Sequence, residues 1–537
     1  MRRRCPVGAA VSVTSSRVDA ARLAGALHRL GEDRSAIVRA PGFIRGRLVW
    51  PDVPPAALIE DARLEGPPPW RVGNCYLVPA HAGPDAPIVA LPYAAVSGEL
   101  IEPDTGHLAR CLYAMPVADV WNALGDLERL LDPQGAIVAT VARMLDQLGV
   151  AATPAGDVVW RMLAAVFEPE SAVAAVDAEL CHDGRPGRAY LDQWVPVEGT
   201  VRTGSTARLA RAVFARPETP GAPAGCRAVP TRQLHVTPAN TPLAWVASLV
   251  RGLAVKGSCV VKVPAEYWPL ATAVALALSA LGPHHPLASH TSLAYWRGGD
   301  RTVEDALLAS GAFDRVVVWG GGQAIADVAS RTRIRTVLFE PRAGVTLLGS
   351  GSFGQELDAL AELAVVDSLV EDQAACTSSL VHYVEADEAT AVRYCGALQR
   401  ALARWDAALP PRPAGRALLR LRRGALVRAQ WFVNGQWPAV SSAVALVPHP
   451  FDLGSHPGGR CVVVRRVDDL SEAVRTLDRG VSAVGIHPEQ SWRELRDELA
   501  ARGVTTVTRL GQTERRWPGM PHDGMRILSE LVSWSVC

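Results

Sequence analysis

The sequence predicts an α/β protein built from two sheet-based units behind a mixed N-terminal region. Three observations predict it. Between about residues 230 and 340, short β-branched runs alternate with helical stretches, and the same alternation resumes after about residue 345. Residues 115–215 instead carry apolar residues at three- and four-residue spacing, the mark of packed helices. Short apolar strands separated by helices imply parallel sheets covered on both faces.

Taken in order, residues 1–110 mix short apolar pieces with turn clusters such as Pro67, Pro68 and Pro69. VADVWNALGDLERLL and VWRMLAAVF then read as scaffold helices, and RPETPGAPAGCRAVP (216–230) as a link. Next come QLHVTP, the helix LAWVASLVRGLAV, the strand CVVKVP, the helix LATAVALALSAL, SLAYW, VVVWGGG and RTVLF. TLLG, the helix QELDALAELAVV and SLVHYVEA open the second unit. The expected division is 1–110 mixed, 111–345 dinucleotide-binding, 346–510 catalytic and 511–537 a C-terminal tail suited to oligomerisation.

The chain has 537 residues, too many for one ordinary core, and is 49% hydrophobic and 20% charged. Its 55 Lys+Arg nearly balance 54 Asp+Glu, which argues against a general nucleic-acid or anionic-membrane binder, with Arg416–Arg428 an example of a local basic stretch. Ten scattered cysteines show no CxxC pair, so reduced thiols are expected. No HxxxH or HExxH face occurs among the thirteen histidines, so no metal is expected. The opening MRRRCPVGAAVSV superficially resembles a signal peptide, but Ser15, Ser16, Arg17 and Asp19 cut its apolar run short. No stretch reads as a membrane span, and the expected location is cytoplasmic.

Chemistry concentrates at a few positions. VVWGGGQAIADVA (317–329) passes from a strand through Gly320, Gly321 and Gly322 into a helix, where bare amides can approach a pyrophosphate. On this motif alone, a tight turn that binds nothing is as good a reading. GSGSFG (349–354) matches GxGxxG, yet Glu385 lies beyond the usual spacing of about 20 residues, which favours a structural turn. Lys262 ends the strand CVVK, where a parallel sheet opens onto its ligand crevice; a surface lysine is the plainer reading. Cys376 in EDQAACTSSL offers a nucleophilic thiol, although most cysteines are inert core residues. His522 and Asp523 adjoin in a Pro/Gly turn; adjacent side chains usually point apart, so the turn reads as structural.

The order of TPANTPL (237–243), VVKVP (260–264), WGGG (319–322) and DQAAC (372–376) resembles the aldehyde dehydrogenase superfamily, including the spacing of Asn240 and Cys376. Within it, YLDQWV, HHPLASHTSLAYWRGGD, FEPRAG and PGMPHDGMRILSELVSW resemble the LuxC-type fatty acyl-CoA reductases. That likeness spans roughly residues 180–534. It implies an aldehyde-dehydrogenase-like fold: a Rossmann-like dinucleotide-binding domain, an α/β catalytic domain and a family-specific N-terminal region.

Carried over by position, the resemblance makes Cys376 the acyl-accepting nucleophile and Asn240 an amide donor to the thioester oxygen. Lys262, Gly320, Gly321 and Gly322 become the dinucleotide ligands. It implies NADPH, with NADH as the alternative, since Ala265 or Glu266 falls at the ribose-ligand position according to the direction of counting. It also implies an acyl-CoA, acyl-carrier or synthetase-borne substrate, an acyl-protein synthetase partner, and a homo-oligomer.

One departure bears on the reaction. Acid-forming relatives carry a glutamate base in LELGGK, whereas RTVLFEPRAG places Leu338 there, with Glu340 two residues later. Lacking that base, water is not activated against the thioester, which suits an aldehyde-forming reductase. An acid-forming dehydrogenase using Glu340, an aryl-acid reductase subunit and a catalytically silent scaffold are the rival readings.

Overall fold

Runs such as CVVK and RVVVW have no polar face, so they need cover on both sides. The computed structural model describes residues 18–31, 37–53, 68–80, 86–93, 97–100, 102, 104–150, 154–197, 213, 224–354, 356–409, 431–432 and 442–537. The chain start, the Arg416–Arg428 stretch and most of the 216–230 link lie outside these residues. The strands of the two large sheets are numbered here in chain order.

The first sheet contains β1 (Gly42–Ile44), β2 (Arg47–Val49), β3 (Arg232–Val236), β4 (Ser258–Lys262), β5 (Thr291–Ala294), β6 (Arg315–Trp319) and β7 (Arg335–Phe339). They lie in the order β7-β6-β3-β4-β5-β1-β2. β3 to β7 are parallel, with Leu234 in register with both Val260 and Val316. β1 and β2 add an antiparallel hairpin edge, so part of the N-terminal region completes this sheet. The chain moves outward from β3 through β4 and β5, then crosses to the other side of β3 to make β6. That reversal leaves a crevice beyond the carboxyl ends of β3 and β6.

Helices α1 (Ala244–Ala254), α2 (Trp268–Ala280) and α3 (Gly322–Arg331) accompany this sheet. α2 is apolar almost all round. Its Thr272 and Ser279 hydroxyls donate to the carbonyls of Trp268 (2.9 Å) and Leu276 (2.7 Å) in the same helix, so it can be buried without an unsatisfied hydroxyl. Scaffold helices Val117–Leu130, Ala136–Gln147, Pro154–Val166 and Pro169–Glu179 share the same core through Trp121, Leu124, Val141, Leu163 and Val176. Among the described residues, no helix is long and apolar enough to cross a membrane.

The second sheet contains β8 (Ala343–Leu348), β9 (Ser379–Glu385), β10 (Trp431–Phe432), β11 (Ala443–Val447), β12 (Cys461–Val467), β13 (Val481–His487) and β14 (Thr506–Arg509), in the order β10-β11-β12-β9-β8-β13-β14. All pairings are parallel except that of β10 with β11. Along β8, Leu348 packs with α4 (Leu357–Leu369) and α5 (Glu388–Ala408), while Val345 and Leu347 pack on the opposite face with Val474 and Leu499. Because β8 begins at Ala343, the expected boundary at 345/346 would split a central strand. The division between sheets falls between Phe339 and Ala343. The tail strand Val532–Val536 pairs antiparallel with Gly225–Pro230, which also pairs with Val195–Pro196.

Candidate active site

The segment joining α4 to β9 takes an unusual path. Glu371, Asp372 and Gln373 have φ of 48°, 55° and 67°. Three successive left-handed non-glycine residues persist only when their surroundings hold them. Arg460, 2% exposed, places Nε 2.5 Å from Asp372 Oδ1 and Nη1 2.8 Å from Asp406 Oδ1. Gln373 accepts from Cys461 N (2.7 Å) and donates to the carbonyls of Cys461 (3.1 Å) and Ser379 (3.3 Å). Asn240, just beyond β3, donates from Nδ2 to the Ala374 carbonyl at 2.8 Å, and Ser482 Oγ donates to the Cys376 carbonyl. Both units therefore pin the loop that presents Cys376.

Cys376 opens onto a cleft of about 720 Å³ whose walls include Asn240, Gly320, Gly321, Arg251, His522 and Arg516. Cys376, His522 and Asp523 each place one donor-type atom within 4.8 Å of the others. This corrects the expectation that the adjacent side chains of His522 and Asp523 point apart. His522 and Met525 exchange two backbone hydrogen bonds of 2.9 Å around Asp523 (φ 49°) and Gly524 (φ 79°). That two-residue turn brings the neighbouring side chains into one cleft.

The His522 ring stands edge-on to the stacked pair Trp319 and Phe339, with centroids 5.2 and 5.1 Å away. Arg251 Nη2 lies 3.0 Å from His522 Nδ1. A guanidinium only donates, so Nδ1 accepts and Nε2 carries the proton. Nε2 has no hydrogen-bond partner among the described residues. Burial, reinforced by Arg251, Arg516 and Arg342, pushes His522 down to about 2, so the ring is neutral. Burial also pushes the Cys376 thiol up to about 11, with Asp523 adding to the rise and Arg516 opposing it. Asp523 is itself raised by burial against the pull of Arg342, Arg516 and Arg251. The resting thiol is protonated.

Cys376, Asn240, Gly320 and Gly321 share this cleft, while Gly322 and Lys262 are not among its walls. Gly321 is the N-cap of α3 and makes no side-chain cap, so the first helical amides are left for a ligand. A Cβ added at Gly321 or Gly322 would meet nothing within 4 Å, whereas one at Gly320 would sit 3.4 Å from Ala324 Cβ. The space over this turn fits a dinucleotide phosphate. Lys262 sits at the carboxyl end of β4 with Nζ 5.7 Å from the Trp296 ring centroid. Burial lowers its pKa, while Glu304 and Glu266 favour its charged form.

The second glycine run differs from the first. A Cβ at Gly349 would lie 2.5 Å from Ser491 Oγ, and Gly349 N donates to the His487 carbonyl at 2.8 Å. That turn is filled by its own protein neighbours. Glu340 is exposed and lines the cleft, two residues beyond Leu338 on the strand β7.

The family profile for acyl-CoA reductase (LuxC) matches residues 227–534. The long-chain acyl-protein thioester reductase of Vibrio harveyi is 28% identical over 314 residues, covering 56% of this chain and 63% of that protein. Its Aliivibrio fischeri counterpart is 25% identical over 307 residues, covering 56% and 62%. The match thus spans less than two thirds of these relatives' length. Among solved structures, the NADP-dependent glyceraldehyde-3-phosphate dehydrogenase of Bacillus halodurans C-125 aligns with a TM-score of 0.64 at 12% identity, over 93% of this chain and 98% of that one. Aldehyde dehydrogenase C of Pseudomonas syringae, solved with NAD+ and octanal, gives 0.62 at 15% identity over 97% and 98%. The fold is that of the aldehyde dehydrogenases, and the chain belongs to the LuxC family of acyl-CoA reductases.

Proposed function

We propose that the protein reduces an activated acyl group to an aldehyde through a thioester on Cys376. The supporting observation is the convergence of Cys376, Asn240 and the neutral His522 on one cleft beside the Gly320–Gly322 turn. The acyl group arrives as a thioester of CoA or of a carrier protein, or from an acyl-protein synthetase. The names of the curated relatives favour a long-chain acyl-protein thioester.

Asp523, whose raised pKa makes it the stronger base, takes the Cys376 proton. The thiolate attacks the acyl carbonyl, and the donor's thiol leaves with a proton. One amide hydrogen of Asn240 holds the Ala374 carbonyl; the other, with His522 Nε2–H, donates to the oxygen of the Cys376 thioester. Lys262 and Gly320–Gly322 would hold a reduced nicotinamide dinucleotide, which when bound would supply the hydride that reduces the acyl carbon. The same donors stabilise the thiohemiacetal oxyanion on Cys376, which collapses to aldehyde and thiolate.

NADPH is the proposed dinucleotide, and Lys262 is the residue that would hold its 2′-phosphate. Glu266, close enough to favour the charged form of Lys262, is the feature that would favour NADH instead. A homo-oligomer is proposed through the edge of Val532–Val536 that pairs with no strand among the described residues, where Trp534 and Val536 are exposed.

The presence of Glu340 on the cleft wall supports one second reading, an acid-forming dehydrogenase in which Glu340 activates water. A product assay separates them. Aldehyde formed from acyl-CoA, acyl-carrier or acyl-protein thioesters supports reduction, whereas free acid formed from aldehyde and oxidised cofactor, without CoA or carrier, supports the second reading.

A further inference from the structure

A second group of thiol and imidazole side chains lies away from the cleft. His107 belongs to the short helix Thr105–Leu108, and Cys111 lies one turn on, in the π-helical segment Ala109–Tyr113. Cys111 Sγ is 3.8 Å from His107 Nδ1 and 3.6 Å from Nε2. His290, the residue before β5, reaches the same point, and one donor-type atom of each of the three lies within 4.8 Å of the others.

His290 is 3% exposed, and neither ring nitrogen has a hydrogen-bond partner among the described residues. An imidazole carries at least one N–H, and buried polar atoms are rarely left unpaired. A thiol–imidazole hydrogen bond would account for His107 and Cys111 but leaves His290 unexplained. A metal ion accounts for all three. Zinc–sulfur and zinc–nitrogen bonds of about 2.3 and 2.1 Å at a tetrahedral angle put sulfur and nitrogen about 3.6 Å apart, which is the Cys111–His107 spacing found here.

The location argues for a structural site. β4 and β5 pair Cys259 with Thr291 at their amino ends and Lys262 with Ala294 at their carboxyl ends. His290 precedes the amino end, whereas the Cys376 cleft lies beyond the carboxyl ends of β3 and β6. The same junction holds the Arg45–Glu102 ion pair and a 3.2 Å hydrogen bond from Ser292 Oγ to the Leu100 carbonyl. We propose that His107, Cys111 and His290 bind a zinc-class divalent transition metal that fastens the 97–113 segment to the first sheet. The expectation of no metal weighed histidine pairs alone; HLARC (107–111) has the same one-turn spacing with a thiol as second ligand.

Cobalt(II) is the probe, added to the whole chain carrying Cys376→Ala, which removes the other thiol-containing group. One equivalent should remain per chain after free metal is removed, with a thiolate-to-cobalt charge-transfer band. The band should vanish in Cys111→Ser and in His290→Leu. In the same parent, zinc(II) should slow alkylation of Cys111 at least tenfold by peptide mass mapping, a readout that needs no second variant to fold. Absence of the band, its persistence in Cys111→Ser, or unchanged Cys111 alkylation would overturn the site.

Discussion

Arg251 Nη2 sits 3.0 Å from His522 Nδ1, and this single contact fixes which nitrogen of the ring carries the proton. Replacing His522 by Ala removes a donor from the acyl oxygen. The expected result is a kcat lower by about 10²-fold, with Cys376 still acylated. Arg251→Met leaves the imidazole but frees its tautomer and removes a nearby positive charge, so a smaller loss should be accompanied by a pH profile shifted toward that of an ordinary histidine. Steady-state kinetics across pH checks both; an unchanged kcat in His522→Ala would remove the residue from the mechanism.

Cys376 should be a slow nucleophile in the ligand-free protein. With the thiol pushed up to about 11, only about one molecule in 10⁴ is thiolate at neutral pH. Alkylation by iodoacetamide should accelerate as pH rises toward that value. Asp523 contributes to the rise, so Asp523→Asn should lower the thiol pKa yet slow acylation by a thioester, which loses its base; iodoacetamide labelling, which needs only the thiolate, should speed several-fold at pH 8. Arg516 works in the other direction, so Arg516→Gln should slow it. Residue-resolved labelling rates measure both signs.

Cofactor choice should follow Lys262 and Glu266. Lys262→Gln is expected to raise KM for NADPH by about tenfold and to change KM for NADH much less, because only NADPH offers a 2′-phosphate to the lysine. Glu266→Gln should favour NADPH further by removing a negative charge near that lysine. Paired kcat/KM values for the two cofactors give the answer, and a wild-type preference for NADH would reverse the proposed assignment.

Arg460→Met should be among the most damaging single changes away from the cleft. It leaves the half-buried Asp372 and Asp406 without their shared guanidinium, a loss of about 3–5 kcal/mol in comparable buried pairs. It also releases the left-handed run before Cys376. Denaturant unfolding should show the loss, and Cys376 alkylation should lose its site-specific rate.

Strands β3 to β9 were legible because fully buried parallel strands are β-branched, as in CVVK and RVVVW, whereas β1, β2 and β10 to β14 were not singled out from the sequence. Cys376 became legible only through its order with Asn240, Lys262 and the WGGG turn. The convergence of His522 and Asp523 on the Cys376 cleft was not foreseen because neighbouring side chains ordinarily diverge. Their convergence depends on φ of 49° at Asp523, and the partner that fixes the ring, Arg251, is 271 residues away in the chain. The Asp523-Gly524 pair was the available signal, since that dipeptide favours a two-residue turn with both residues left-handed. The β8 boundary was missed for a simpler reason: FEPRAGVTLLG shows no long break between the last strand of one sheet and the first of the next.

The most direct test of the thioester reading is intact-mass spectrometry of the whole chain after incubation with a long-chain acyl thioester and no nicotinamide cofactor. One acyl adduct per chain should form, map to Cys376, and discharge as aldehyde when NADPH is added. An adduct that persists in Cys376→Ala, or one that discharges only as free acid, would contradict it.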